Sequence, residues 1–240
     1  MEVKIILELR KGIWVMTQTW NDLLFMHLPV PADILREQIP QGLELDTYNG
    51  KAWISIVPFA ITDMRLHFTP RLPYFHFLLE LNVRTYVKRN GEAGVYFFSL
   101  DANQWLTVLG GRIFHAPYHY AGIHMKKERN WINFTSKRKG KSSIGFTGKY
   151  RPVTGEYKPS ASSLAYWLVE RYIFWSERNS SLYKGDIYHE PWKLQEAEVI
   201  LSKQNMLPDF LGIEEAGNPV FHYAAKKKVY SWCVRKIEEL

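Results

Sequence analysis

YFHFLLELNVRTYVKRNGEAGVYFFSL, from Tyr74 to Leu100, holds two runs of alternating side chains around Arg89-Asn90-Gly91. Strict alternation on either side of an Asn-Gly turn signal reads as two antiparallel strands joined by a hairpin. The same period of two recurs upstream in KAWISIVPFAI (51–61) and downstream in HYAGIHMK (119–126), WINFTS (131–136) and SIGFTGKY (143–150). Tyr48-Asn49-Gly50, Arg129-Asn130 and Lys139-Gly140 punctuate these runs. A series of this kind predicts a curved antiparallel sheet or barrel; the repeated helical crossovers that a doubly wound parallel sheet needs are missing.

Helical patterns are few. PADILREQIP begins and ends in proline, Pro31 and Pro40, and predicts one short helix. DANQWLTVLGGRIF predicts a second, with Asp101 as N-cap and Trp105, Leu109 and Ile113 on one face. KPSASSLAYWLVERY predicts a third, capped by Ser160 or Ser162, with Leu164, Trp167 and Leu168 packed on the sheet. RYIFWSERNSSLYKGDIYH reads as a hairpin turning at Asn179 to Ser181, and the remainder ends in a β-rich stretch. With no repeat, low-complexity tract or linker, residues 1–240 are expected to form one α+β domain dominated by antiparallel sheet.

Hydrophobic residues make up 46% of the chain and aromatics 15%, including nine tryptophans, which is enough for a core that needs no staples. Cys233 is the single cysteine, so no internal disulfide or thiolate metal cluster is available, and a reducing cytoplasm fits. Its setting, YSWCV, predicts a buried, unreactive thiol. Glu8, Arg10 and Lys11 interrupt the apolar N-terminal run, which reads as neither a signal peptide nor a membrane span. The formal charge of +7 comes partly from Lys126, Lys127 and Arg129, from Lys137, Arg138, Lys139 and Lys141, and from Lys226 to Lys228. The first two clusters fall at hairpin tips, where solvated turns account for them better than a nucleic-acid groove does.

The common reactive patterns are absent. No GxSxG, GxGxxG, Walker or HExxH motif occurs, and Pro117 stops His115 and His119 from forming an i, i+4 pair on a regular helix. No metal and no cofactor is expected. The sharpest local signal is LLELNVRTYV: on a strand, Glu80, Asn82 and Arg84 share one face, while Leu79, Leu81, Val83 and Thr85 share the other. That polar face is either simply wet or lines a cavity, with Arg84 as a carboxylate anchor and Glu80 as acid or base.

TWNDLLFMHLPVPADILREQIPQGLELDTYNGKAWISIVPF, ELNVRTYV, GVYFFSLDA, GRIFHAPYHYAG, ERY and LYKGDIYHEPWKLQEAE together resemble the YqjF-like family of uncharacterised bacterial proteins. The likeness runs from about Trp20 to Trp232, leaving residues 1–15 as an expected extension with Met16 as an alternative start. That family is grouped with acetoacetate decarboxylase, so the resemblance implies a decarboxylase-like barrel with a few short helices. GRIFHAPYHYAG looks like the enzyme's GRE…PKK…G segment, whose first lysine of the pair forms a Schiff base with the keto acid. Aligned on Pro117, Tyr118 and His119 stand where the lysines would be, Ile113 stands where the acid would be, and no lysine lies between Asn90 and Met125. The resemblance therefore implies the pocket without the imine chemistry.

Two functional classes follow. One is a pocket for a small carboxylate or carbonyl compound, with Arg84, Asn82 and Arg112 binding and with Glu80, His119 and Tyr118 moving protons or donating to an enolate oxygen. The other is a non-catalytic protein whose aromatic surface builds a homo-oligomer. Nucleic-acid binding through the basic turns ranks last.

Overall fold

The computed structural model describes residues 12–70, 77–113, 116–141, 143–208, 211 and 217–239. Among them are thirteen strands in one sheet: β1 (Met16–Val30), β2 (Glu44–Leu45), β3 (Ala52–Leu66), β4 (Phe77–Arg89), β5 (Glu92–Ala102), β6 (Tyr118–Glu128), β7 (Trp131–Arg138), β8 (Gly145–Pro152), β9 (Ile173–Arg178), β10 (Ser181–His189), β11 (Gln195–Gln204), β12 (Val220–Ser231) and β13 (Arg235–Glu239). Three short helices accompany them, α1 (Ala32–Arg36), α2 (Trp105–Ile113) and α3 (Leu164–Val169).

The pairing closes on itself twice. The run β5-β6-β7-β8-β11-β12-β1-β3-β4 returns to β5 through the β4–β5 hairpin, making a nine-strand barrel. A smaller circuit leaves the same wall through β9 and β10 and rejoins it where β10 pairs with β12. Strands β12, β1, β3, β4 and β5 belong to both circuits, so this wall has an interior on each face.

Two-sided burial explains the continuous apolar runs. In β1, Leu24, Met26, Leu28 and Val30 fill the nine-strand barrel with Ile54, Leu81, Phe134 and Phe146, while Leu23 and Phe25 point into the smaller circuit with Val57, Phe59 and Trp192. A strand buried on both faces loses the alternation that marks a half-wet one, which is why β1 is not legible as a strand in the sequence. Its ladder with β3 is further broken by register shifts, and Asp22 sits at φ 53° within one of them.

The hairpin turns at Asn49-Gly50, Asn90-Gly91, Arg129-Asn130 and Lys139-Gly140 stand where expected. The sheet is not wholly antiparallel: β5 runs parallel to β6 and to β9. The β5–β6 connection is the crossover that carries α2.

Three local expectations need correction. Asp101 does not cap α2; it ends in β5, buried, and takes a bidentate hydrogen bond from Arg138 Nε and Nη2, while α2 starts at Trp105. The cap of α3 is Ser163, whose Oγ accepts from the Tyr166 N–H, and Ser160 instead accepts from Ser163 through its carbonyl. Cys233 is exposed, because it follows the end of β12 beside an inward Trp232 whose Nε1 donates to the Gly12 carbonyl.

Candidate functional site

The inner face of the smaller circuit encloses a cavity of about 400 Å³. Strand β4 supplies its polar floor. Alternation sends Leu79, Leu81 and Val83 into the barrel core and leaves Glu80, Asn82 and Arg84 on the cavity side, the first two only 5% exposed. Most of the remaining lining is apolar and aromatic, including Trp20, Phe25, Phe59, Phe97, Phe174, Trp192 and Trp232. Tyr118, Arg171 and His189 add further polar groups, and Gln18, Thr107 and Ser231 also line it.

Tyr118 enters from β6. Pro117 ends the crossover, and the Leu100 N–H donates to its carbonyl, which sets Tyr118 opposite Leu100 at the start of the parallel pair. The Tyr118 hydroxyl donates to Glu80 Oε2 at 2.8 Å. Its ring lies against Gly111 of α2, where a Cβ would fall 2.1 Å from the ring carbon Cδ2. Only glycine leaves that space.

Burial raises the Glu80 carboxyl to about 7, with the nearby Asp101 carboxylate adding to the rise and hydrogen bonds from Tyr118 and Asn82 opposing it. Burial also holds the Tyr118 hydroxyl well above its ordinary value, reinforced by the charge and the hydrogen bond of Glu80. Near neutral pH the carboxyl is therefore present in both its neutral and its ionised form, while the phenol stays an O–H donor.

Two guanidinium groups face the same space. Arg84 lies 5.7 Å from the centre of the Phe25 ring and bonds to Tyr86, and its Nε is buried with no hydrogen-bond partner. Tyr86 belongs to a fully buried triangle: its hydroxyl is 2.6 Å from Ser55 Oγ and 3.2 Å from His27 Nδ1, and Ser55 is 2.6 Å from the same nitrogen. Burial, followed by His222 and Arg84, holds the His27 imidazole well below its ordinary range.

Arg171 donates from Nη1 to Asp46 at 2.7 Å and lies 4.4 Å from the Trp167 ring, with Nη2 buried and unpartnered. Asp46 also meets Lys88 at 2.7 Å. His189 donates from Nδ1 to the Glu190 carbonyl at 2.9 Å and stacks on Tyr172; burial lowers its imidazole to about 4, so it is neutral at physiological pH. Arg171 has Asp46 as its counter-charge, a carboxylate it shares with Lys88, whereas among the described residues Arg84 is paired with no carboxylate, which leaves positive charge in a largely apolar chamber, the electrostatics of an anion site.

The cavity thus gathers Glu80, Asn82, Arg84 and Tyr118 from the residues singled out by sequence. His119, next along β6 and paired with Asp101, does not line it. The side chain of Arg112, and His115 as a whole, lie outside the described residues. Arg171 and His189 are cavity residues that no local pattern announces, since they follow a helix and end a strand far from β4. Among the described lining residues there is no lysine.

Residues 17–228 match the family DUF2071, described as an uncharacterized conserved protein. The uncharacterized protein YqjF of Bacillus subtilis (strain 168) is 47% identical over 227 residues, covering 94% of this chain and 93% of its own length. Among solved structures, the enduracididine biosynthesis enzyme MppR, complexed with the condensation product of pyruvate and imidazole 4-carboxaldehyde, superposes with a TM-score of 0.65 at 11% identity, over 93% of this chain and 90% of that one. An acetoacetate decarboxylase-like enzyme from Sphingomonas wittichii RW1 superposes with a TM-score of 0.63 at 13% identity, over 95% of each chain. At such identities the structural likeness carries the fold alone.

Proposed function

Because the chain belongs to the DUF2071 family and has the acetoacetate decarboxylase-like fold, we propose that it binds a small carboxylate or carbonyl compound in this cavity and performs acid–base chemistry on it. The observation that carries the reading is Glu80: a carboxyl raised to about 7 and bonded to the Tyr118 hydroxyl, in a chamber that also holds Arg84. Arg84 and Arg171 hold the carboxylate. Ionised Glu80 takes a proton from the carbon beside the carbonyl, and once it is neutral it competes less for the Tyr118 hydroxyl, which then donates to the enolate oxygen. Enolisation, and a hydration or cyclisation that passes through it, are within reach of these groups. An imine route has no support from the lining, where no lysine is found among the described residues.

Solvent exchange tests this. Incubated with short keto acids in D2O, the protein is expected to wash deuterium into the position beside the carbonyl, as read by NMR, and Glu80→Gln is expected to abolish exchange while still binding. Absence of both binding and exchange across keto acids, hydroxy acids and aromatic carboxylates overturns the reading.

A structural role as an oligomer draws on one feature: Trp105, Leu109 and Phe77 are 63%, 51% and 45% exposed near one another around α2. Sedimentation velocity distinguishes the two readings, which are compatible. Nucleic-acid binding has less behind it, since Lys126 and Lys127 already pair with Glu128 and Asp22 at 2.6 and 2.7 Å. The wall shared by the two circuits supports one folding unit, because neither circuit closes without it.

A further inference from the structure

The cavity is too large and too apolar for a short keto acid alone. Its volume of about 400 Å³ lies within the roughly 300–1,000 Å³ of pockets that take drug-sized ligands. One polar cluster lies on β4: Asn82, with Oδ1 buried and unpartnered, Arg84, with Nε in the same condition, and on the same face Glu80, bonded to Tyr118 of β6. An unpaired acceptor beside an unpaired cationic donor asks for a ligand head with an anionic oxygen and a hydroxyl or enol hydrogen. Away from that head most of the wall is aromatic and aliphatic, interrupted by Arg171, His189, Gln18, Thr107 and Ser231. Leu106 of α2 and Leu66 of β3 line the cavity while each is 39% exposed, so apolar side chains lie between the chamber and solvent.

We infer that the ligand is amphipathic, a hydroxy- or oxo-carboxylate bearing an apolar body of medium length, alkyl or aromatic, that fills the chamber and passes out beside Leu106. This rests on the carboxylate reading above and adds to it the size and chemistry of the rest of the molecule. Burying each further methylene contributes about 0.8 kcal/mol, a fourfold gain in affinity.

Titration calorimetry of the wild-type protein with straight-chain 3-oxo and 3-hydroxy acids of increasing length, beside primary alcohols of matched length, separates the two layers. Affinity is expected to rise about fourfold per methylene among the acids and then level off once the chamber is full. The exposed variant Leu106→Gln is expected to weaken the longest acids and leave the mid-length ones unchanged. Acids that bind with no dependence on length overturn the amphipathic ligand and leave the carboxylate reading standing. Alcohols that bind as tightly as acids, with the same length dependence, keep the apolar chamber and overturn the carboxylate head. No binding in either series overturns both.

Discussion

The Tyr118 hydroxyl donates to Glu80 Oε2 across 2.8 Å, joining strands that meet only through β5. That bond lowers the proton affinity of a carboxyl that burial raises. Tyr118→Phe is therefore expected to push the Glu80 pKa above its present value of about 7, because one opposing contribution is lost while the burial remains. A 13C-detected titration of the Glu80 side chain measures this directly. An unchanged or lower midpoint in the variant refutes the coupling.

Glu80→Gln is expected to change how stability depends on pH. The folded carboxyl titrates at about 7 and its unfolded counterpart at 4.5, so the folded state binds the proton more tightly. Its contribution is fully present below about 4.5 and is lost as pH rises through 7. His189 acts in the opposite sense: lowered from 6.5 to about 4, it loses stability as pH falls through that interval. The two slopes offset each other in the wild type between 4.5 and 6.5. Removing Glu80 unmasks the histidine slope, and the variant gains on the wild type by about 1.4 kcal/mol per pH unit, to about 3 kcal/mol above neutrality. Urea melts of both proteins from pH 4.5 to 8 decide it, and parallel curves argue against a raised Glu80.

Gly111→Ala is expected to destabilise the fold by roughly 1–3 kcal/mol and to disable the site. The new Cβ would lie 2.1 Å from the Tyr118 ring, so the ring or α2 must shift. Thermal unfolding together with the Glu80 titration reads both effects. Wild-type stability with an unmoved Glu80 midpoint means that α2 yields without disturbing Tyr118.

How much of this was legible follows from where each residue's partners lie. Glu80, Asn82 and Arg84 declare a common face through a period of two, because strand geometry is local. Their cavity is not local: that face becomes an interior only when β9 and β10 rejoin β12, a closure between residues 187–189 and 229–231. Arg171 and His189 are recognisable only after that closure. Strand β1 hides for the related reason that both of its faces are buried. His119 drew attention by chemistry and proximity to Tyr118, yet adjacent residues on a strand point to opposite faces, and the one that lines the cavity is Tyr118. The stretch GRIFHAPYHYAG is legible as special through Gly111, Pro117 and Tyr118, and the partner of its tyrosine is Glu80, more than thirty residues upstream.

Asp46→Ala is expected to be among the most damaging polar substitutions. Asp46 is 1% exposed and holds Arg171, itself 6% exposed, through a 2.7 Å bond. Removing one partner leaves a buried charge uncompensated, at a cost of about 3–5 kcal/mol. Unfolding by urea measures the loss. Asp46→Ala combined with Arg171→Met is expected to recover much of it, since an apolar pair leaves no orphaned charge. A double variant no better than the single one assigns Asp46 a role other than holding Arg171.

Arg84→Met is expected to act in the opposite direction on the ligand-free protein. Arg84 has no carboxylate partner among the described residues: it bonds to Tyr86 rather than Glu80, its Nε is unsatisfied, and burial lowers its proton affinity. A methionine of similar length keeps the contact with Phe25 and removes a desolvated charge, while Tyr86 retains its 2.6 Å bond to Ser55. A gain on the order of 1 kcal/mol, roughly 2–4 °C for a chain of this size, is expected without ligand. Saturating carboxylate is expected to stabilise the wild type by about 2.7 kcal/mol at 100 times the dissociation constant and to leave the variant unmoved. Stability withheld at a site that ligand restores is the mark of a binding residue. A variant that melts lower than the wild type, with or without carboxylate, makes Arg84 a structural cation and removes the anchor on which the functional reading depends.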